Sequence, residues 1–250
     1  MAALFAAVGF VPGLAVGSFL NVVAARVPER RSVVHPRSAC GSCGTTLAWY
    51  DNIPLLSYAM LRGKCRSCGA RIGLIYPAVE LIAAALIAGC LLKFGPTLHA
   101  LVAAFFCATL VTVSATDIRR RVIPNEIVLP AAAIVLVGMT IVDPSPAWAI
   151  AAFGASGFLL LAALVYPAGM GIGDVKLALL IGAGLGVVTP VGLMIGMLAG
   201  LVPGLVLIAK HRWSAARKMP FPFGPCLAFG AIVALFAGEP ILHWWLALGR

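Results

Sequence analysis

The sequence specifies an all-α integral membrane protein, a polytopic bundle of about eight transmembrane helices interrupted by one long polar loop. Three observations point there. Of the 250 residues, 62% are hydrophobic and only 10% are charged, whereas soluble domains carry about 25% charged residues. The mean hydropathy is +1.06. The apolar residues also fall into runs of the length a bilayer requires, about 20 residues each, separated by Pro, Gly and charge.

The first span is Met1 to Ala25, an uncharged run. A cleaved signal peptide has basic residues before its apolar core, and none are present, so this run reads as a retained helix. Charges, Pro and Gly then delimit the other spans. The second covers about Pro77 to Leu92, the third Pro96 to Thr116, the fourth Glu126 to Val142 and the fifth Pro146 to Tyr166. The sixth and seventh divide Val175 to Ala209 near Thr189-Pro190, and the eighth covers Gly224 to Leu248. Residues 1–250 thus read as a single polytopic domain, with a loop at 26–75 inserted between the first two spans.

Charge orients the bundle. Arg26, Arg30, Arg31, Arg37, Arg62, Lys64, Arg66 and Arg71 follow the first span, and Arg119, Arg120 and Arg121 follow the third. Lys176 follows the fifth, and Lys210, Arg212, Arg217 and Lys218 follow the seventh. Only Lys93 and Arg250 of the 18 basic residues remain for the other side. Cytoplasmic loops carry the excess of Lys and Arg, so the odd-numbered loops are expected in the cytosol and both termini outside. The basic residues act as topology determinants beside anionic lipid. No basic domain stands clear of the bilayer, so nucleic acid is not an expected partner. Trp213, Trp244 and Trp245 read as interface anchors.

The loop contains "CGSC" at 40–43 and "CRSC" at 65–68, two CxxC pairs separated by 21 residues. Each pair places two thiolates on a tight knuckle, and two knuckles complete a tetrahedral Zn²⁺ site from Cys40, Cys43, Cys65 and Cys68. Gly41, Gly44 and Gly69 suit the sharp turns. A cytosolic loop is reducing, which favours zinc over disulfides. A closed four-sulfur site has no open position for catalysis, so its expected role is to fold the loop. His35 is a further possible ligand. Cys90, Cys107 and Cys226 lie in apolar segments and read as packing residues.

The acidic residues are few. Asp117 ends the third span just before "IRRR", and Asp174 closes "GMGIGD" (169–174) at the start of the sixth. Charge patterning places both at the same depth on the cytosolic side. Two close carboxylates cannot both ionise cheaply, so one holds a proton while the other takes a proton from water. Such a pair can drive water onto a peptide carbonyl and help the amine leave. It titrates as a unit, so neither role is assigned to one residue. Gly169, Gly171 and Gly173 would let the chain break and approach an extended substrate. Competing readings exist: Asp117 pairing with Arg119 to Arg121, Asp174 capping its helix, a proton-coupled transporter or relay, or a scaffold whose loop docks a partner.

Seven stretches in order resemble the bacterial type IV prepilin peptidases, membrane aspartic proteases of the GxGD kind. They are "GSFLNVVAARVP" (17–28), the two cysteine pairs, "NIPLLSYAMLRGKC" (52–65), "YPAVE" (76–80), "DIRRRVIPN" (117–125), "GMGIGDVKLALLIGAGLG" (169–186) and "PFGPCLAFG" (222–230). The resemblance implies removal of the short basic leader of prepilins and pseudopilins, the substrates of type IV pili and type II secretion. The cut falls after a glycine, at the cytosolic face of the bacterial inner membrane. It implies Asp117 and Asp174 as the catalytic pair. Many members also methylate the new N-terminus with S-adenosylmethionine, an activity associated with the cysteine-bearing loop. Two positions depart from the family pattern: Ile75, often Arg, and Ile172, often small or aromatic. Glu80 is a candidate substrate or cofactor contact, a residue that orients the loop, or an acid that pairs with a loop arginine. Lys176 joins Gly171 and Gly173 as an active-site loop candidate, with snorkelling to headgroups as its other reading.

Overall fold

In the computed structural model, which describes residues 2–166, 171–210 and 221–248, helix follows helix through short links apart from the long segment between Arg26 and Ile75. Side chains of 2–4, 206–210 and 248 are not described. Gly169, Arg212, Trp213, Arg217 and Lys218 lie outside the described residues. The helices are α1 (Ala2–Arg26), α2 (Leu56–Met60), α3 (Ile75–Phe94), α4 (Leu98–Arg120), α5 (Asn125–Val142), α6 (Ala147–Val165), α7 (Ile172–Leu185), α8 (Thr189–Lys210) and α9 (Gly224–Leu248). All but the short α2 correspond to the eight expected spans. Seven stretches are long and apolar enough to cross a membrane, because α7 and α8 form one apolar stretch, Ile172–Leu205. Among the described residues there is no β-strand, as the bilayer requires of an open chain whose backbone must satisfy itself.

Local signals set the helix ends. Gly95, at φ +66°, stops α3, and the Thr97 hydroxyl then accepts the Ala100 N–H at 3.3 Å to cap α4. The Ser145 hydroxyl accepts the Ala147 N–H at 3.2 Å and does the same for α6. The α7–α8 break falls at Gly186–Val188, slightly before the expected Thr189-Pro190. Gly186 adopts φ +54°, and Pro190 sits within the first turn of α8, where its missing N–H costs nothing.

The chain divides into two compact units, Met1–Ala115 and Thr116–Arg250. In the first, α1 and α3 pack along a seam of small residues. A Cβ on Gly9, Gly13 or Gly17 would lie 2.8, 2.7 or 2.6 Å from the Cα of Ala88, Ala84 or Glu80. Both sides advance by four residues in opposite directions, so the helices are antiparallel and their backbones nearly touch. Small residues are how helices associate in lipid, where burying apolar side chains gains little over leaving them in the hydrocarbon. Leu20, Ala24, Val79, Ala83, Val111 and Ala115 form the core beside that seam.

In the second unit α7 is the central helix, buried along almost its whole length from Asp174 to Leu185. Gly182 lets α6 approach: an added Cβ would sit 2.3 Å from the Ala151 carbonyl oxygen. Gly230 on α9 meets Gly192 and Gly196 of α8 with equal intimacy. A Gly182→Ala variant is therefore expected to lose about 1–3 kcal/mol from overpacking. Gly154→Ala, where nothing lies within 4 Å, should be neutral or stabilising by up to about 1 kcal/mol. Thermal unfolding of the two variants in detergent separates these outcomes; equal melting temperatures would refute the close approach of α6 and α7 at Gly182.

Candidate active site and cysteine cluster

At one end of the second unit the last turn of α4 meets the first turns of α5, α7 and α9. Asp117 lies in that last turn, and Asp174 is the third residue of α7. Both are buried, at 6% and 9% exposure. The Oδ2 atom of Asp117 accepts the Gly224 N–H at 2.9 Å, a bond that spans 107 residues of sequence. The Oδ2 atom of Asp174 accepts the Gly171 N–H at 3.3 Å, and the Asp174 N–H returns a bond to the Gly171 carbonyl at 3.0 Å. Asp174 thus does cap its helix, by reaching back from the third position rather than from the cap itself. The contacts of Gly224 with Asp117 and of Gly173 with Ile123 bring the two acids to the same end of the unit. The first turns of α7 and α9 also aim the positive ends of their dipoles at this point, where negative charge is stabilised.

The glycines around the pair set its geometry. A Cβ on Gly224 would sit 2.8 Å from Asp117 Oδ2, so any side chain there displaces the carboxylate. A Cβ on Gly173 would press on Ile123 Cβ at 3.0 Å, which keeps the α4–α5 link tight against the start of α7. The Lys176 ammonium donates to Asn125 Oδ1 at 2.7 Å, tying α7 to the start of α5. Gly169 lies outside the described residues.

In the first unit the four cysteine sulfurs lie within 4.8 Å of one another, and Cys40 and Cys68 are 3.8 Å apart. Four sulfurs at about 2.3 Å from one tetrahedral ion stand about 3.8 Å apart, so the cluster is compatible with a bound metal ion. The two knuckles repeat one design. The Cys40 and Cys65 N–H groups donate to the Thr45 and Ala70 carbonyls, and the Gly44 and Gly69 N–H groups donate back to Cys40 and Cys65. Gly44 and Gly69 adopt φ +72° and +70°. Gly41 does not adopt a positive φ and has open space around it, so only the glycine after each pair is conformationally required. Its counterpart in the second knuckle is Arg66, whose guanidinium grips Asp51 with bonds of 3.0 and 2.8 Å.

Backbone N–H groups of the knuckles lower the thiol pKa of Cys40 and Cys65, and the Thr45 hydroxyl and amide lower that of Cys43. The Ala70 amide draws Cys68 the same way, but Cys43, burial and the other thiols outweigh it and push Cys68 up to about 11. The donors that lower three of the thiols favour the thiolate form, which is the form that binds a cation. Within residues 27–74 only Gly63 and Cys65 are buried, so this segment has almost no apolar core.

Glu80 on α3 reaches into that segment. Its Oε2 accepts the Leu55 N–H at 2.9 Å. Leu55 has φ +57° and is the centre of a tight turn closed by Leu56 N–H on the Pro54 carbonyl at 2.5 Å. The bond ties α3 to the loop. Asn21 joins α1 to the start of α3, donating to the Tyr76 carbonyl at 3.0 Å.

Two family models match the chain: the bacterial peptidase A24 N-terminal domain over residues 11–94 and the type IV leader peptidase family over residues 104–205. Relatives called prepilin leader peptidase/N-methyltransferase align over nearly all of it. That of Bacillus subtilis (strain 168) is 36% identical, over 96% of this chain and 97% of its own length. That of Burkholderia pseudomallei (strain 1026b) is 36% identical, over 97% and 88%. The chain belongs to the type IV leader peptidase family. A Pseudomonas aeruginosa relative of the same name is 33% identical, over 94% of this chain and 91% of its own. No solved structure matches.

For this family member the leader peptidase match contains both aspartates, and the N-terminal match contains all four cysteines. Gly224 lies beyond both. Sequence reading treated it as the start of a helix and missed its bond to Asp117. Its place between Phe223 and Pro225, within the family-like stretch 222–230, says that a helix begins but not what its first N–H faces.

Proposed function

We propose that this chain is a membrane-embedded aspartic endopeptidase that removes the short basic leader of prepilins or pseudopilins. The observation that carries the proposal is the convergence of two buried carboxylates, Asp117 and Asp174, at the meeting of four helix ends. One carboxylate keeps a proton and polarises the scissile carbonyl, while the other accepts a proton from the attacking water. The proton then passes to the departing amine. Gly171 keeps a side chain away from Asp174 Oδ2, and the Gly224 and Gly171 N–H groups orient the two acids. The transporter reading draws no support from relatives that align along the whole chain and are peptidases by name.

The basic residues of the odd-numbered loops support a cytosolic position for the aspartates and the cysteine loop, with both termini on the outer side of the bacterial inner membrane. The four cysteines suit Zn²⁺, which would fold the loop and take no part in the cut. Methyl transfer from S-adenosylmethionine comes to this chain through its relatives' names, and no residue is assigned to the methyl donor.

The test mixes the purified chain with a model prepilin, with and without S-adenosylmethionine, and reads intact masses. Leader loss supports the peptidase, and an added methyl supports the second activity. No leader loss with several prepilins would sink the proposal. Gly224→Ala offers a sharper check. Its Cβ would crowd Asp117 Oδ2, and a misplacement of about 1 Å near the chemistry can cost about 100-fold. The variant should therefore lose cleavage on that scale with its melting temperature nearly unchanged. Wild-type turnover by Gly224→Ala would exclude the Gly224–Asp117 contact from the reaction.

A further inference from the structure

The first unit contains an open cavity of about 190 Å³, the space of roughly six waters, where α1 leaves its apolar stretch. Phe19 and Val22 of α1 and Val33 and Val34 of the loop form an apolar wall, and Arg26 and Arg37 also line it. Arg26 is fixed by donating to the Ser32 carbonyl at 3.0 Å. Nearby acids are engaged with other arginines: Glu29 with Arg31 and Asp51 with Arg66.

The lining of the cavity runs from the apolar stretch of α1 to the polar loop that follows it. Phe19 is 53% exposed and lies within the apolar stretch Phe5–Glu29, so its outer face meets lipid. Arg26 follows two turns later, where the chain becomes polar. The same side carries exposed interfacial residues. Asn52, another lining residue, ends a turn that begins with Trp49 and Tyr50. Trp49 is 72% exposed, as is Met60 of α2. Trp and Tyr favour the headgroup layer, and basic clusters beside a spanning helix attract anionic lipids.

We propose that this cavity holds the phosphate of one anionic phospholipid between Arg26 and Arg37, with its acyl chains along Phe19 and Val22. The two guanidiniums match the charge and forked geometry of a phosphate diester. The apolar wall, open toward the bilayer, suits a ligand that brings its own hydrocarbon rather than a soluble anion.

The experiment uses the full chain in detergent with equal phosphatidylglycerol and phosphatidylcholine, followed by exhaustive detergent exchange and mass spectrometry of retained lipid. Wild type is expected to keep about one phosphatidylglycerol per chain and to exclude phosphatidylcholine. R26Q/R37Q should lower retention about thirtyfold, from the loss of two cation–lipid attractions. Arg30, Arg31, Arg62, Lys64, Arg66 and Arg71 remain to hold the orientation of the loop. Val34→Asp leaves both arginines in place and sets a carboxylate beside them at an exposed position, so it should also lower retention. Equal retention of the two lipids by wild type would overturn the proposal. So would unchanged retention in both variants. Displacement of the lipid by millimolar inorganic phosphate would likewise overturn it, by identifying a soluble-anion site.

Discussion

Asp117→Asn and Asp174→Asn should each lower leader removal by at least about a thousandfold, because positioned proton transfer contributes roughly 10²–10⁴ and the two groups act as a unit. The double variant should be little worse than either single one, since groups that act together are strongly non-additive. The fold should survive. Asn keeps a carbonyl oxygen that can accept the Gly224 or Gly171 N–H now held by Oδ2, and it removes only charge and the proton-carrying oxygen. Cleavage rates and detergent melting curves on the same preparations check both halves. A normal rate in either single variant would remove that aspartate from the chemistry. A lost rate with a collapsed melting curve would leave a structural role as the explanation.

The spans were legible because the bilayer imposes one strong rule, an uninterrupted apolar run closed by Gly, Pro or charge. Asp117 and Asp174 stood out as candidates for a related reason: an acid at the end of such a run is costly enough to demand a purpose. The cysteine cluster was legible from spacing alone. What sequence could not supply was which helices touch. The Gly9, Gly13 and Gly17 seam against Ala88, Ala84 and Glu80 has no hydropathy signature, because Gly and Ala look like any other residue of a greasy helix. The partner of Gly224 is 107 positions away, and no local pattern announces a backbone N–H aimed at a distant carboxylate. Glu80 was ambiguous for a similar reason. Its contact is the amide of Leu55, a group every residue carries.

The glycines of the second unit illustrate two jobs that composition cannot separate. Gly182 and Gly230 are closeness devices, needed because a backbone lies where a Cβ would go. Gly224 is a positioning device, needed because a carboxylate lies there instead. Both would appear as intolerant of alanine, yet the first kind loses stability and the second loses rate. A screen that reads only activity merges them. Melting temperature and turnover, measured together, sort them.

Cys40→Ser combined with Cys65→Ser should abolish metal binding at the cysteine cluster and unfold the segment between α1 and α3. Each knuckle loses one thiolate, and a tetrahedral site with two thiolates retains little affinity. Structural zinc supplies about 10–16 kcal/mol to small folds that depend on it, and residues 27–74 bury only Gly63 and Cys65, so nothing else can replace that contribution. Metal analysis of the wild-type chain should give about one zinc, and the variant none. Limited proteolysis should cut the variant within this segment and spare wild type, while a strong chelator should make wild type behave like the variant. The second unit, with Asp117 and Asp174, packs on its own helices and should stay resistant. Wild-type protein without metal, yet still resistant in the loop, would show that the thiols themselves hold the knuckles. In that case the amide–carbonyl pairs of Cys40 with Thr45 and Cys65 with Ala70 would be the fold's support.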